Sequence, residues 1–239
     1  MNPLQDKVCI VTGAGRGIGR AIALLAAEQG CRVMLAARSA DQLEAVQAEI
    51  AARGGHACRV RADLSAQADL EALVEQTLDR FGTVDFLVNN AGWGIKADIA
   101  KARVPDWERT LRVNLLAPMI LSQLVLPTLV ARQSGAVVNI ASISGRAGQG
   151  GSAAYAASKA GLIAFSQSLF EEVREHRIKV AAIIPGFVDT GMIPPVRHLD
   201  RSRMIQPEDV AQAVLFVLTA PPAACPVEIT VRPQRTPYR

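Results

Sequence analysis

Lys7-Val-Cys-Ile-Val-Thr12-Gly13-Ala-Gly15-Arg16-Gly17-Ile18-Gly19 is the stretch whose reading decides the fold. An apolar run of strand length ends in a dense glycine turn. Arg20 to Gln29, rich in Ala and Leu, then continues as a helix that stops at Gly30. Strand, glycine turn and helix together present backbone N–H groups at a helix N-terminus, a ready site for phosphate. The glycine spacing is informative. The fingerprint G-x-G-x-x-G, counted from Gly13, requires glycine where Ile18 stands; T-G-x-x-x-G-x-G fits from Thr12 to Gly19.

The same alternation runs outward along the chain. Arg32 to Ala37 reads as a second buried strand, followed directly by Arg38. An acid at that tip would take ribose hydroxyls, whereas an arginine suits a 2′-phosphate. With Arg38 there, Arg16 in the turn and no carboxylate at the tip, the expected cofactor is NADP(H). Helices follow over Ala40–Arg53 and Ala66–Phe81, with a strand over His56–Arg61 and Asp63-Leu64 at its end. A fourth strand, Val84–Val88, runs into Asn89-Asn90-Ala91-Gly92, small and polar enough to admit a flat ligand. Asp106–Arg132 reads as one long helix interrupted near Pro118 and Pro127, and Asn114 within it needs internal hydrogen-bond partners. Strands over Ala136–Ala141 and Ile178–Ile184 end at Ser142 and at Pro185-Gly186-Phe187-Val188-Asp189-Thr190. The segment 189–206, with Arg197, Arg201 and Arg203, is read as a short lid. A helix from Pro207 and a strand over Val227–Val231 close the pattern. Strands alternating with helices predict a doubly wound parallel sheet of about seven strands flanked by helices, one Rossmann-type α/β domain over 1–239. The marked residues fall at the strands' carboxyl ends, where such sheets bind ligands.

The helix expected over Ser152–Glu175 carries Tyr155 and Lys159 at i and i+4, on one face. A phenol of intrinsic pKa about 10 is a poor acid or base near neutrality. A neighbouring cation favours its phenolate and suits it to acid–base work. The chain has only two tyrosines, and the other is Tyr238, so the pairing is not one of many.

Composition excludes some classes. Half the residues are hydrophobic and 4% are aromatic, so the core is expected to be aliphatic. The net charge of +4 comes from scattered Lys and Arg without a basic block, which argues against nucleic-acid and membrane surfaces. The four cysteines and three histidines form no metal-ligand spacing, and no metal is expected. With no charged leader and no uninterrupted apolar run of about 18 residues, the expectation is a cytoplasmic protein with reduced thiols. Leu116, Met119, Ile120 and Leu124 on one helix, and Leu162, Phe165, Phe170 and Val173 on another, spread over more than one side, which suggests burial on both.

Taken together, Thr12–Gly19, Asp63, Asn89 to Gly92, Asn114, Ser142, Tyr155-x-x-x-Lys159, and Pro185-Gly186 with Thr190 resemble the short-chain dehydrogenase/reductase family, classical type, across essentially the whole chain. The resemblance implies an NADP(H)-dependent oxidoreductase acting on a carbonyl or secondary alcohol, as a homodimer or homotetramer. It implies a catalytic set of Asn114, Ser142, Tyr155 and Lys159. Tyr155 would be the general acid or base and Ser142 would orient the substrate oxygen. Lys159 would lower the phenol's pKa and hold the nicotinamide ribose, and Asn114 would anchor a relay water. Cofactor contacts are implied at Gly13, Gly15, Arg16, Gly17, Ile18, Gly19, Arg38, Asp63, Leu64, Asn90, Ala91, Gly92, Tyr155, Lys159, Pro185, Gly186, Val188 and Thr190. The ending Pro221 to Pro233 departs from the family's common Gly-rich terminus. It looks like the branch acting on small hydroxy acids and alcohols, and 3-oxoacyl-[acyl-carrier-protein] reductase stands as the alternative. An extended-type epimerase would need glycine where Arg16 stands. A non-catalytic dinucleotide sensor would be expected to lack Ser142, Tyr155 or Lys159.

Overall fold

Strands that are apolar on both faces need cover on both faces, and β1 (Val8–Thr12) is buried along its whole length. Its side chains alternate: Cys9 and Val11 enter one core cluster, Val8 and Ile10 the other. The computed structural model describes residues 2–191 and 199–238. In it, β1 pairs in parallel with β2 (Arg32–Ala37) on one side and β4 (Phe86–Asn89) on the other. With β3 (His56–Arg61), β5 (Gly135–Ile140), β6 (Ile178–Pro185) and β7 (Glu228–Val231) they form a seven-stranded sheet of order β3-β2-β1-β4-β5-β6-β7. The pairings are all parallel. The doubly wound expectation therefore holds, with strand ends moved by one or two residues.

On one face lie α1 (Gly17–Glu28), α2 (Ala40–Ala52) and α7 (Pro207–Thr219), whose Ile22, Leu43 and Val214 share a core with Val33 and Leu35. The other face carries α3 (Gln67–Phe81), α5 (Ala117–Arg132) and α6 (Ala153–Val173), with Leu73, Leu121 and Leu169 packed on Met34 and Val137. The chain reverses its winding between β1 and β4, which opens a crevice at the carboxyl ends of those two strands.

The interruption expected near Pro118 and Pro127 lies elsewhere. α4 (Val104–Leu111) passes through one π-helical turn, Arg112–Leu116, into α5, an unbroken helical run from Val104 to Arg132. Pro118 sits in the first turn of α5, where the hydrogen-bond register is already changing, so its missing N–H costs little. Pro127 is carried inside α5, whose Leu121, Val125 and Leu129 are fully buried. This run is long and apolar enough, by length and composition alone, to cross a bilayer; those three leucine and valine side chains lie in the core against the sheet. The faces read as apolar on both sides divide differently. Leu162 and Val173 are core residues, and Ile120, Leu124, Phe165 and Phe170 pack against the core. Leu116 and Met119 remain more than a third exposed.

Candidate active site

The glycine turn is fixed from below by Thr12 and Asn90. The Thr12 hydroxyl accepts from the backbone N–H of Asn90 (3.0 Å) and Ala91 (3.1 Å), and the Asn90 amide donates to the carbonyls of Thr12 (2.9 Å) and Gly13 (3.4 Å). That interlock brings the loop after β4 against the turn after β1. A Cβ on Gly13, where φ is +65°, would lie 2.9 Å from the Ala91 Cα. A Cβ on Gly19 would stand 2.3 Å from the Gly13 carbonyl oxygen. Gly19 is thus a packing position behind the turn and does not line the cleft.

The cleft above has a volume of about 870 Å³ and lies at the carboxyl ends of β1, β2, β4, β5 and β6. Its walls include Gly13, Gly15, Arg16, Gly17 and Ile18 from the first turn, and Arg38, Asp63 and Leu64 beyond β2 and β3. Asn90, Ala91 and Gly92 line it after β4, and Pro185, Gly186, Val188 and Thr190 after β6. Ser142, Tyr155 and Lys159 line the same space. α1 begins at Arg16 with no side-chain cap and no acid in its first turn. Its N-terminal N–H groups and positive dipole end are thus offered to the cleft. Ala37 closes β2 without a carboxylate. The Asp63 carboxylate accepts from the Ser65 N–H (3.0 Å) and hydroxyl (2.8 Å). The Ser65 backbone bond leads in holding its pKa below the usual range, with help from Arg38 and Arg109.

Ser142 stands two residues beyond β5 and caps the following turn, its hydroxyl oxygen accepting from the Ser144 N–H at 3.1 Å. Tyr155 stands in the first turn of α6, with Gly94 close enough that a Cβ there would meet the phenol ring at 2.9 Å. Burial pushes the Tyr155 phenol above its ordinary pKa, and a hydrogen bond with Ser142 opposes this. Lys159 is 3% exposed and donates to the Ile140 carbonyl at 2.7 Å. Burial brings its ammonium down to about 8. The ammonium lies 5.9 Å from the centroid of the Tyr155 ring. The lysine was expected to lower the phenol's pKa. Within the chain burial outweighs the Ser142 bond and leaves the phenol above its ordinary value, while the Lys159 ammonium is turned onto the Ile140 carbonyl.

Asn114 is placed apart from the other three. It is fully buried in the π-helical turn and does not line the cleft. Its side-chain carbonyl accepts from the Trp93 N–H (2.8 Å), while its amide donates to the Trp93 carbonyl (2.8 Å) and the Ser158 hydroxyl (3.0 Å). Both amide hydrogens are used within the chain. It acts as a clamp on the loop that meets Tyr155. Asn89 also lies off the site, in a buried chain through Asn139 (2.9 Å) to Ser166 (2.8 Å) that ties β4, β5 and α6 together.

Of the lid arginines, Arg201 pairs with Asp189 and donates to the Thr190 carbonyl (3.1 Å), and Arg203 pairs with Asp200 at 3.3 Å. Arg197 lies outside the described residues. Several cleft residues were not expected there from the sequence: Gln42, Trp93, Ile95, Arg109, Leu199 and Tyr238. Gln42 faces Gly15 only because α2 starts at Ala40, and Arg109 stacks on Trp93 at 5.1 Å from a different helix.

The family described as short chain dehydrogenase matches residues 7–200. An uncharacterized oxidoreductase of Staphylococcus aureus (strain MRSA252) is 36% identical over 98% of this chain and 100% of that protein. A 3-oxoacyl-[acyl-carrier-protein] reductase of Synechocystis sp. (strain ATCC 27184 / PCC 6803 / Kazusa) is 36% identical over 94% of each. Among solved structures, a metagenomic short-chain oxidoreductase in complex with NADP superposes with a TM-score of 0.87. It is 34% identical, covering 98% of this chain and 100% of that one. With the glycine turn, the parallel sheet and the Ser142–Tyr155–Lys159 cleft in one molecule, these likenesses settle the family: the chain belongs to the short-chain dehydrogenases, which are oxidoreductases.

Proposed function

We propose that the chain is an NADP(H)-dependent oxidoreductase interconverting a carbonyl compound and a secondary alcohol. The observation that carries this is that Ser142, Tyr155 and Lys159 share one cleft with the glycine turn and with Arg38. The residues present fit a phosphorylated dinucleotide. The uncapped start of α1 and the bare backbone of Gly13 would receive the pyrophosphate, and Asp63 and Asn90 would border the rings. Arg38 and Arg16, with no carboxylate at Ala37, would hold a 2′-phosphate. The NADP in complex with the 34%-identical structure supports the same choice. Bound, the cofactor supplies a hydride to the carbonyl carbon, or accepts one from the alcohol in the reverse direction.

In reduction, Tyr155 gives its phenolic proton to the substrate oxygen. The Ser142 hydroxyl, which bonds the phenol within the chain, would turn its proton to that same substrate oxygen and hold it in place. Loss of the phenolic proton leaves a tyrosinate, which the Lys159 ammonium on the adjacent turn of α6 stabilises. Asn114 serves as a positioning residue, keeping Trp93 and Gly94 against the phenol.

The Synechocystis relative favours a 3-oxoacyl thioester as the carbonyl compound, and we keep that as the second reading. Assays of NADPH and NADH consumption with simple ketones, 2-oxo acids and a 3-oxoacyl thioester test both. Activity confined to the thioester selects the second reading, and no consumption with any carbonyl compound overturns the proposal. We further take 1–239 as one oxidoreductase domain in the cytoplasm, its four cysteines free. Leu111, Leu116 and Met119, exposed on the α4–α5 run, are the face through which two or four copies would pair. Light scattering at micromolar concentration would show a dimer or tetramer; a 25.4 kDa particle would count against it.

A further inference from the structure

The tail beyond β7 leaves the sheet at the carboxyl edge and is held down at both ends. The Gly186 N–H donates to the Val231 carbonyl at 2.8 Å, and the Asp200 N–H donates to the Pro237 carbonyl at 2.7 Å. Leu199 and Tyr238 form an antiparallel bridge. The Tyr238 ring meets Phe187 edge to face, with centroids 5.3 Å apart and planes at 85°, a favourable aromatic geometry. Tyr238 is nevertheless 49% exposed, and with Phe187 and Leu199 it lines the same cleft as Tyr155. A surface tyrosine held by its backbone, packed on one edge and open to the cleft on the rest, has its free ring area available to a ligand.

The 93–96 loop also lines the cleft, apolar at Trp93 and Ile95 and cationic at Lys96, with Arg109 stacked on Trp93. Trp93 and Ile95 line the cleft on the loop that Asn114 clamps, and Ile95 is 48% exposed. Among the described residues the one acid lining the cleft, Asp63, stands beyond β3 at the far edge of the sheet from β7. A carbonyl held at Tyr155 therefore has one flank facing aromatic and aliphatic side chains.

We infer that Tyr238 is a specificity-determining residue, and that the tail, Phe187 and the Trp93–Ile95 loop form a subsite for a flat apolar group beside the reacting carbonyl. This rests on the carbonyl-reducing function proposed above. The preferred class is then aryl or branched ketones rather than small unbranched ones.

The test compares kcat/KM for acetophenone and 2-butanone, with NADPH, in the wild type, Tyr238→Ala and Tyr238→Phe. The wild type should prefer the aryl ketone. Tyr238→Ala should lower the aryl-to-alkyl ratio about tenfold, the order expected when part of an apolar pocket wall is removed, chiefly through KM. Tyr238→Phe should restore the ratio, because ring area rather than the hydroxyl makes the contact. A uniform loss on both ketones in Tyr238→Ala would mean a merely structural tail and overturn the inference, as would an unchanged ratio or a wild type that prefers 2-butanone. A wild type inert toward all carbonyl compounds would instead overturn the oxidoreductase proposal, and this inference with it.

Discussion

Replacing Lys159 by methionine should stabilise the protein at neutral pH while ending its turnover. Lys159 is 3% exposed, and burial takes its ammonium from 10.5 down to about 8. That difference corresponds to about 3 kcal/mol against folding at pH 7, because the unfolded chain binds the proton more tightly than the folded one. Below pH 8 the penalty is fully present. Between pH 8 and 10.5 the folded protein has released the proton and the unfolded chain still holds it, so wild-type stability rises with pH in that window. Methionine has a similar length and no charge, but it forfeits the 2.7 Å charge-assisted bond to the Ile140 carbonyl, a loss of about 1.5–3 kcal/mol. The variant should therefore gain up to about 1.5 kcal/mol at pH 7, or up to about 3–6 °C in Tm for a chain of this size. Its advantage should shrink through pH 9 and reverse by pH 10.5. Thermal melts followed by circular dichroism, without added cofactor, at four pH values in both proteins, read this directly, since other titrating groups cancel in the difference. A variant less stable at pH 7, or a difference that stays flat with pH, would refute the claim that a buried ammonium is held there at a cost.

The remaining expectations concern single groups. Tyr155→Phe should lower turnover about 10²- to 10⁴-fold, the usual contribution of a positioned acid or base. NADPH affinity by fluorescence titration should change little; half-activity in this variant would remove Tyr155 from the proton step. Arg38→Ala should weaken NADPH about 10- to 150-fold, from the loss of one charge-assisted hydrogen bond, and should spare NADH; equal weakening of both cofactors would mean that Arg38 does not read the 2′-phosphate. Asp85 lies at the opposite end of the sheet from the cleft, 4% exposed at its side chain. It pairs there with Lys7 and Arg132 at 3.2 Å each and accepts from the Val8 N–H at 2.9 Å. Asp85→Ala should cost about 2–3 kcal/mol in urea melts, with kcat/KM unchanged at low temperature; a loss below about 0.5 kcal/mol would place those ion pairs with ordinary surface pairs.

The fold was legible because the central parallel strands, buried on both faces, read as continuous apolar runs, and every strand before β7 is followed by a helix. The π-helical turn at Arg112–Leu116 was not. Its residues are ordinary for an α-helix, and the two prolines nearby drew the expected break toward themselves, whereas Pro118 was absorbed by the register change and Pro127 by the packing of α5. Residues whose partners are remote were equally silent. Asp85 gathers Lys7 from the chain start and Arg132 from the end of α5, and no local pattern announces such a meeting. Tyr238 was visible only as one of two tyrosines. Its place in the cleft depends on where the tail turns after β7, a tertiary outcome with no periodic signature.

At the site, residue types were legible and their states were not. Tyr155 and Lys159 do share a face of α6, as the i, i+4 spacing requires. Spacing says nothing of desolvation, however, and desolvation dominates both groups. It raises the phenol and lowers the ammonium, so each is pushed toward its neutral form. The direct aid to the phenolate within the chain comes from the Ser142 hydroxyl on the neighbouring strand end. Asn114 follows the same logic. A buried amide had to find partners, which the sequence could say; that they would be Trp93 and Ser158, and so turn the residue into a clamp on the wall beside Tyr155, depended on the π-helical turn that carries it. The chemistry-bearing side chains are thus set by local spacing, while the energies that tune them are set by elements far away in the chain.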